Sequence, residues 1–209
     1  MPNASDSDLY DPIDGKPEFN APVKKPMVIQ IVAMTEDGMI GKNNDLPWGH
    51  WKEDLQFFKE TTIDSVMVMG FNTVLSIPKK LPNRFVYGLT DGLREIPAKS
   101  LEKFYSIAEG LVVGVGHWIN DIIIPNHFRN DVIFIAGGGQ TYRDTMSQTN
   151  VIYQNIIIPD EKINVEQEDN IVYYPIHQLE NYFTCVSSVE VSTAKGKMVK
   201  KIWVKNCYK

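Results

Sequence analysis

The chain has 209 residues, 43% hydrophobic and 22% charged, with a formal net charge of −5 at pH 7, a size that suits one large domain or one domain with extensions. The acidic balance argues against a nucleic-acid footprint. No apolar run reaches the roughly 18 residues of a membrane span, and the N-terminus lacks a basic-then-apolar signal profile, so a cytoplasmic protein is expected.

Residues 1–26 hold five acids and three lysines among Pro and Asn, with almost no apolar periodicity. They read as an N-terminal arm, extended or disordered, before a domain over 27–209. Val28–Ala33 is a nearly continuous apolar run, the pattern of a strand covered on both faces. A loop rich in Gly, Asn and Asp then reaches Pro47–Trp48, and a helix is predicted over 51–62. Val66–Met69 is a second such strand, ending at Gly70, and Asn72–Ile77 a short helix closed by Pro78. Arg84–Leu89 reads as a third strand and residues 103–107 as a fourth. Residues 109–124 are apolar and of helix length, although Gly110, Gly114 and Gly116 count against a helix; Gly114-Val115-Gly116 is read as close helix packing. Val132–Ala136 is a strand running into Gly137-Gly138-Gly139, followed by a helix over 140–147 and a strand over Val151–Ile158. Tyr182–Ser192 and Met198–Cys207, around Ala194–Lys197, predict a closing β-hairpin. Strands alternating with helices predict an α/β fold, a mainly parallel mixed sheet of about eight strands flanked by helices and finished by the antiparallel hairpin.

Cys185 and Cys207 lie symmetrically about Gly196, where a regular hairpin would set them opposite each other; they are read as reduced thiols. His50, His117, His127 and His177 show no metal-ligand spacing, and no metal is expected. The six lysines of 195–209 read as solvating an edge hairpin, with attraction of a polyglutamate tail as the alternative.

The chemistry-bearing position is Asp54, a carboxylate on a helix among Trp51, Leu55, Phe57 and Phe58. A lone acid on an apolar face is costly, because burial disfavours its charged form, so it is placed to meet a ligand. Glu53 is adjacent, and adjacent helix positions do not share a face. In an open parallel sheet, ligands bind where strands end and loops begin. The first strand is followed by the loop 34–50, the second by Gly70 with Thr73, and the fifth by the triple glycine. Two glycine-bearing helix starts suggest a dinucleotide held at two points, although the Gly-x-Gly-x-x-Gly fingerprint is missing after the first strand.

From Met27 to the C-terminus the chain resembles dihydrofolate reductase, most closely its phage-encoded branch. The resemblance rests on Ile40-Gly41, Leu46-Pro47-Trp48-Gly49, Asp54-Leu55-x-x-Phe58-Lys59, Met69-Gly70-x-x-Thr73, Leu81-Pro82-x-Arg84 and Gly137-Gly138-Gly139-x-x-Tyr142. It implies a single-domain dihydrofolate-reductase-like fold and NAD(P)H-dependent reduction of 7,8-dihydrofolate to tetrahydrofolate. Asp54 would bond the pteridine ring and promote protonation of N5, with Trp48 helping to hold a bridging water. Leu55, Phe58, Ile77 and Leu81 would wall the substrate cleft above Ile31 and Val32. Arg84 would pair with the α-carboxylate of the glutamate tail, and Asn155 stands where a threonine usually bonds the acid. Backbone groups of Ala33 and Ile40 would hold the nicotinamide carboxamide, beside Gly41 and Asn44 of a lid over 41–49. Thr73 and the Gly137–Gly139 turn would receive the cofactor phosphates, Thr141 would be a further cofactor contact, Tyr142 would border the nicotinamide, and the Gly137–Gly138 bond would be cis.

Phe71 and Asn72 depart from the pattern, replacing a basic residue that faces the 2′-phosphate in many relatives. Thr90-Asp91 stands where small hydroxyl or basic residues are usual, and Gln140 replaces an arginine. These changes imply a weakened preference for NADPH, with NADH usable, unless Lys79 or Lys80 compensates. The expected partner is the small-molecule substrate, without nucleic acid or membrane; a monomer is expected, and a homodimer is left open. Two other readings stand beside reduction of dihydrofolate: a riboflavin-pathway-type pteridine or pyrimidine reductase, and a non-catalytic folate- or nucleotide-binding structural protein.

Overall fold

Residues 25–91, 96–114 and 132–206 are described by a computed structural model of the chain. Their framework is an eight-stranded sheet. The strands are β1 (Met27–Met34), β3 (Ser65–Gly70), β4 (Arg84–Thr90), β5 (Gly110–Val113), β6 (Val132–Ile135), β7 (Val151–Pro159), β9 (Phe183–Thr193) and β10 (Gly196–Lys205). Their spatial order is β5-β4-β3-β6-β1-β7-β10-β9. All neighbours run parallel up to β7, and β10 and β9 close the sheet antiparallel. Two short strands, β2 (Met39–Lys42) and β8 (Ile171–Tyr173), pair separately. Nothing in their length or composition announces them in the sequence.

The double coverage read from β1 is present. Val28 and Val32 pack into a cluster with Tyr142, Met146 and Leu179, while Ile29 and Ile31 face Phe57, Val74 and Phe104. Alternate residues of a strand point to opposite faces, so both faces must be apolar. Helices α1 (Lys52–Thr62), α2 (Phe71–Ser76) and α3 (Ala98–Tyr105) cover the second face; α4 (Gly139–Thr145), a 3₁₀ turn over Met146–Gln148, and α5 (Ile176–Tyr182) cover the first. The polar exception in β1 is Gln30, fully buried. Its Nε2 donates to the Tyr142 carbonyl (2.8 Å) and Thr145 Oγ1 (3.1 Å), and its Oε1 accepts from the Tyr174 hydroxyl at 2.5 Å. Every bond its amide needs is made inside the core.

Three sequence expectations are corrected. Residues 103–107 are not a strand: Ala98–Tyr105 is α3, entered at Pro97. Leu101, Phe104 and Ala108 repeat at helical spacing, and the wholly buried Phe104 lies against Gly88 of β4. The described part of 109–124 is not helical either. Gly110–Val113 pairs with β4, and Gly114 (φ +88°) leaves the strand by donating its N–H to the Thr90 carbonyl. Gly116, His117, His127, most of the arm 1–26 and Cys207 lie outside the described residues. Finally, the hairpin is not symmetric about Gly196. Its turn is Ala194–Lys195, a bulge falls at Ile202/Trp203, and Cys185 opposes Trp203 as a free, exposed thiol. No helix among the described residues is long and apolar enough to cross a membrane.

Candidate active site

Helix α1 lays its first turn over the C-terminal halves of β1 and β7. Trp51, 1% exposed, seats the helix in a cluster with Trp48, Ile157 and Met198, against Ala33. Asp54 follows one turn later and is buried at 8% exposure. Asn155 of β7, register partner of Ala33, donates Nδ2 to Asp54 Oδ1 at 2.7 Å. Burial pushes the Asp54 carboxyl above the usual carboxylate range; the Asn155 bond and the charge of Lys200 pull the other way. Three polar atoms here are buried without a protein partner: Nε1 of Trp48, Nε1 of Trp51 and Oδ1 of Asn155. Two donors and one acceptor beside a buried acid form a polar patch that a ligand or its solvent must complete.

Arg84 occupies the far end of the same helix. It opens β4 and is 6% exposed. Its Nε donates to Thr62 Oγ1 (3.3 Å), Nη1 to the Pro82 carbonyl (2.8 Å) and Nη2 to the Lys59 carbonyl (2.6 Å). A guanidinium has five N–H groups, so one remains on each Nη, the fork that fits a carboxylate. Between acid and guanidinium, Ile31, Phe58, Ile77 and Leu81 share one apolar cluster, and Leu55 projects from α1 at 38% exposure. The side chain of Val32 is on the other side of the sheet, in the cluster with Tyr142. Only its backbone can border this cleft, because strand neighbours alternate faces.

Across β3 and β6 the two glycine-bearing strand ends, read from the sequence as two separate holding points, meet in direct contact. The Gly70 N–H donates to the Gly137 carbonyl at 2.7 Å. A Cβ on Gly70 would stand 2.7 Å from Thr141 Oγ1, and one on Gly138 would stand 3.0 Å from Thr73 Oγ1. Gly137 has φ +111° and its bond to Gly138 is cis. Gly139 is equally confined, by Val172 and the Tyr173 carbonyl, with Ile40 beyond. Backbone and two threonine hydroxyls thus gather at one polar neck between the two strand ends. Tyr142, on α4, donates its hydroxyl to the Ile31 carbonyl at 2.7 Å, and burial raises its pKa far above the ordinary phenol value. Its hydroxyl is committed, so Tyr142 contributes shape and not a proton.

The positions expected to meet the adenosine end, Phe71, Asn72, Thr90, Asp91 and Gln140, are themselves uncharged or acidic, and the nearby Lys79 is exposed. The Phe71 ring stacks on Phe104, centroids 5.0 Å apart, Asn72 is exposed, and Thr90 leads into an exposed Asp91. Gln140 bonds Asp144 at 2.7 Å, and Lys80 is paired with Glu109 at 2.6 Å. Gly41 and Asn44 lie on the segment expected to be a lid. Asn43 and Asn44 both have positive φ and form the tight turn that joins Lys42 to Asp45. Asn43 exchanges bonds with Asn170, and Lys42 pairs with Asp169 at 2.9 Å. Sequence reasoning missed Thr62, which orients Arg84, and treated Trp51 and Lys200 as packing and solvation. An indole three residues before the acid was the available signal for Trp51. No group of three or more His, Cys, Asp or Glu among the described residues could hold a metal ion.

A profile of the family described as dihydrofolate reductase matches residues 27–193. The chain is 33% identical over 132 residues to the dihydrofolate reductase of Mycoplasma pneumoniae, covering 63% of this chain and 76% of that protein. It is 28% identical over 176 residues to dihydrofolate reductase type 9 of Escherichia coli, covering 83% and 90%. Among solved structures, dihydrofolate reductase from Enterococcus faecalis, complexed with NADP(H) and RAB-propyl, superposes with a TM-score of 0.65 at 23% identity, over 88% of this chain and 98% of that one. That likeness concerns the fold.

Proposed function

The chain belongs to the dihydrofolate reductase family, and on that premise we propose that it reduces 7,8-dihydrofolate to 5,6,7,8-tetrahydrofolate with NADPH, NADH being a second usable donor. The observation that carries this reading is one slot with a buried acid at one end and a half-engaged guanidinium at the other. Asp54 presents a carboxylate to the N–H donors of a pteridine, Arg84 presents two parallel N–H groups to the tail carboxylate, and Ile31, Phe58 and Leu81 wall the space between.

NADPH suits the polar groups gathered where the two glycine-bearing strand ends meet: backbone amides of the Gly137–Gly139 turn and the hydroxyls of Thr73 and Thr141, the donors a diphosphate needs. When bound, the nicotinamide supplies the hydride that C6 of the substrate takes. The protein has a proton left to manage. Asp54 holds its carboxyl in a site that favours the protonated form more than water does, so it raises the availability of a proton for N5 as C6 is reduced. Asn155 fixes the orientation of that carboxyl. The buried indole N–H of Trp48 can hold a water on the proton's path. The substrate ring excludes bulk solvent from Asp54, which keeps the electrostatics strong.

Purified protein mixed with dihydrofolate should consume NADPH, followed by absorbance, and methotrexate should stop it. Turnover blocked by methotrexate supports the reading. Tight methotrexate binding without turnover would instead indicate a folate-binding protein that does no chemistry, and absence of both would sink the folate reading.

A further inference from the structure

Strand β10 brings a cation to the back of the acid. Lys200 stands directly opposite Asn155 across the β7–β10 ladder, so both side chains leave the sheet on one face. The Lys200 ammonium lies 4.8 Å from the centroid of the Phe57 ring. Phe57 is three residues beyond Asp54 on α1, hence its neighbour on the helix surface, and it rests edge-on against Tyr153 with centroids 6.3 Å apart. Other lysines of the hairpin are spent differently. Lys197 pairs with Glu190, and Lys195 and Lys205 donate to the carbonyls of His50 and Ser147. Lys200 is half-buried and seated on an aromatic face, a placement that desolvates the ammonium in part and lengthens the reach of its charge.

We propose that Lys200 is a positioning residue for Asp54: its ammonium, seated on Phe57 behind the Asn155–Asp54 hydrogen bond, offsets part of the cost of burying the carboxylate and holds it against Asn155, oriented toward the N–H donors of an incoming substrate. The proposal rests on the reading of Asp54 as the substrate-binding acid. Burial opposes the charge on Asp54, and Asn155 and Lys200 sustain it. The other elements around the acid supply no competing cation among the described residues. β1 contributes Ile31 and Ala33, β7 the neutral Asn155 and Tyr153, α4 the neutral Tyr142, and the preceding loop the indoles of Trp48 and Trp51. On α1 itself, Lys52 is exposed and Glu53 is turned about 100° away around the axis. Without Lys200 the carboxyl takes a proton at higher pH, Asn155 then donates to a neutral acid, and the anionic grip weakens.

The test is the titration of the Asp54 carboxyl by ¹³C NMR in ligand-free, aspartate-labelled protein, assigned by the signal lost in Asp54→Asn. It is run on the native chain, Lys200→Gln and Lys200→Arg, together with the pH profile of kcat/KM for dihydrofolate. Lys200→Gln is expected to move both the titration and the profile to higher pH, and Lys200→Arg to leave the titration near its native position. Superposable Asp54 titrations in the native and Lys200→Gln proteins overturn the proposal. If Lys200→Gln does not fold, Phe57→Leu keeps the lysine but removes its seat. A smaller upward move is then expected, and no move counts against the proposal. The carboxyl titration needs no turnover, so a native protein inactive on dihydrofolate would defeat the functional reading while leaving this electrostatic question separately answered.

Discussion

Replacing Arg84 by lysine isolates one half of the proposed substrate contact. The guanidinium spends Nε–H and one hydrogen on each Nη on Thr62, Pro82 and Lys59, which leaves one N–H on each Nη in the guanidinium plane for the proposed tail carboxylate. A tail carboxylate there accepts two charge-assisted hydrogen bonds, each worth about 1.5–3 kcal/mol. Lysine can keep one of them and has no fork with which to orient the pair. The loss of one bond, at about 1.4 kcal/mol per tenfold, predicts kcat/KM for dihydrofolate lower by roughly 10- to 150-fold. The contact is remote from C6 and N5, so the loss should sit in KM with kcat nearly unchanged. The decisive comparison is steady-state kinetics on dihydrofolate and on a dihydropterin lacking the glutamate, for native and Arg84→Lys proteins. Only the tailed substrate should suffer. Equal losses on both would mean that Arg84 supports the end of α1 through Lys59 and Thr62 and does not read the tail. Melting curves taken in parallel separate this effect from instability, since the substitution also strips donors from two backbone carbonyls.

Asp54→Asn should lower the rate on dihydrofolate by about 10²–10⁴ at neutral pH, with the deficit narrowing in acid as solution protonates N5; an unaffected rate would mean the wrong acid has been chosen. The same variant should melt higher than the native protein at neutral pH. Burial sets the folded pKa of Asp54 above its unfolded value, so its favourable contribution is complete in acid and is lost as pH rises through that folded value; calorimetry should find the advantage of the variant closing toward the ordinary carboxylate range. Gly88→Ala should cost about 1–3 kcal/mol by denaturant unfolding, because its Cβ would overlap the Phe104 ring, and a loss below about 0.5 kcal/mol would show that α3 shifts freely. With Phe71 stacked on Phe104, Asp91 exposed, and Lys80 paired to Glu109, NADPH should be favoured over NADH only weakly in kcat/KM. Phe71→Arg should raise that ratio roughly tenfold or more, through a charge-assisted phosphate contact. A large native ratio would refute the argument.

The sequence by itself determined the parallel α/β plan, the two glycine-bearing strand ends and the acid among aromatics. Each of these is written in local pattern: apolar runs for strands buried on both faces, glycine where backbones must touch, a carboxylate where periodicity calls for an apolar residue. Local pattern could not decide 103–113. Phe104 and Ile107 suit either a strand or a helix, and the choice fell to the space beside Gly88, which takes the Phe104 ring from a helix and leaves Gly110–Val113 to pair with β4. Nor could it separate Val32 from Ile31 as cleft residues, because the family motif names positions and not the side of the sheet each side chain takes. Lys200 is the sharpest case. Along the chain it is one lysine in a basic hairpin, no different from Lys197 or Lys201. Its standing behind Asp54 follows from the register of β10 on β7 and from the crossing of α1 over both. Those relations join residues about 45 and 145 positions apart, and long-range pairing of that kind is set by packing across the sheet rather than by the spacing of side chains along one segment.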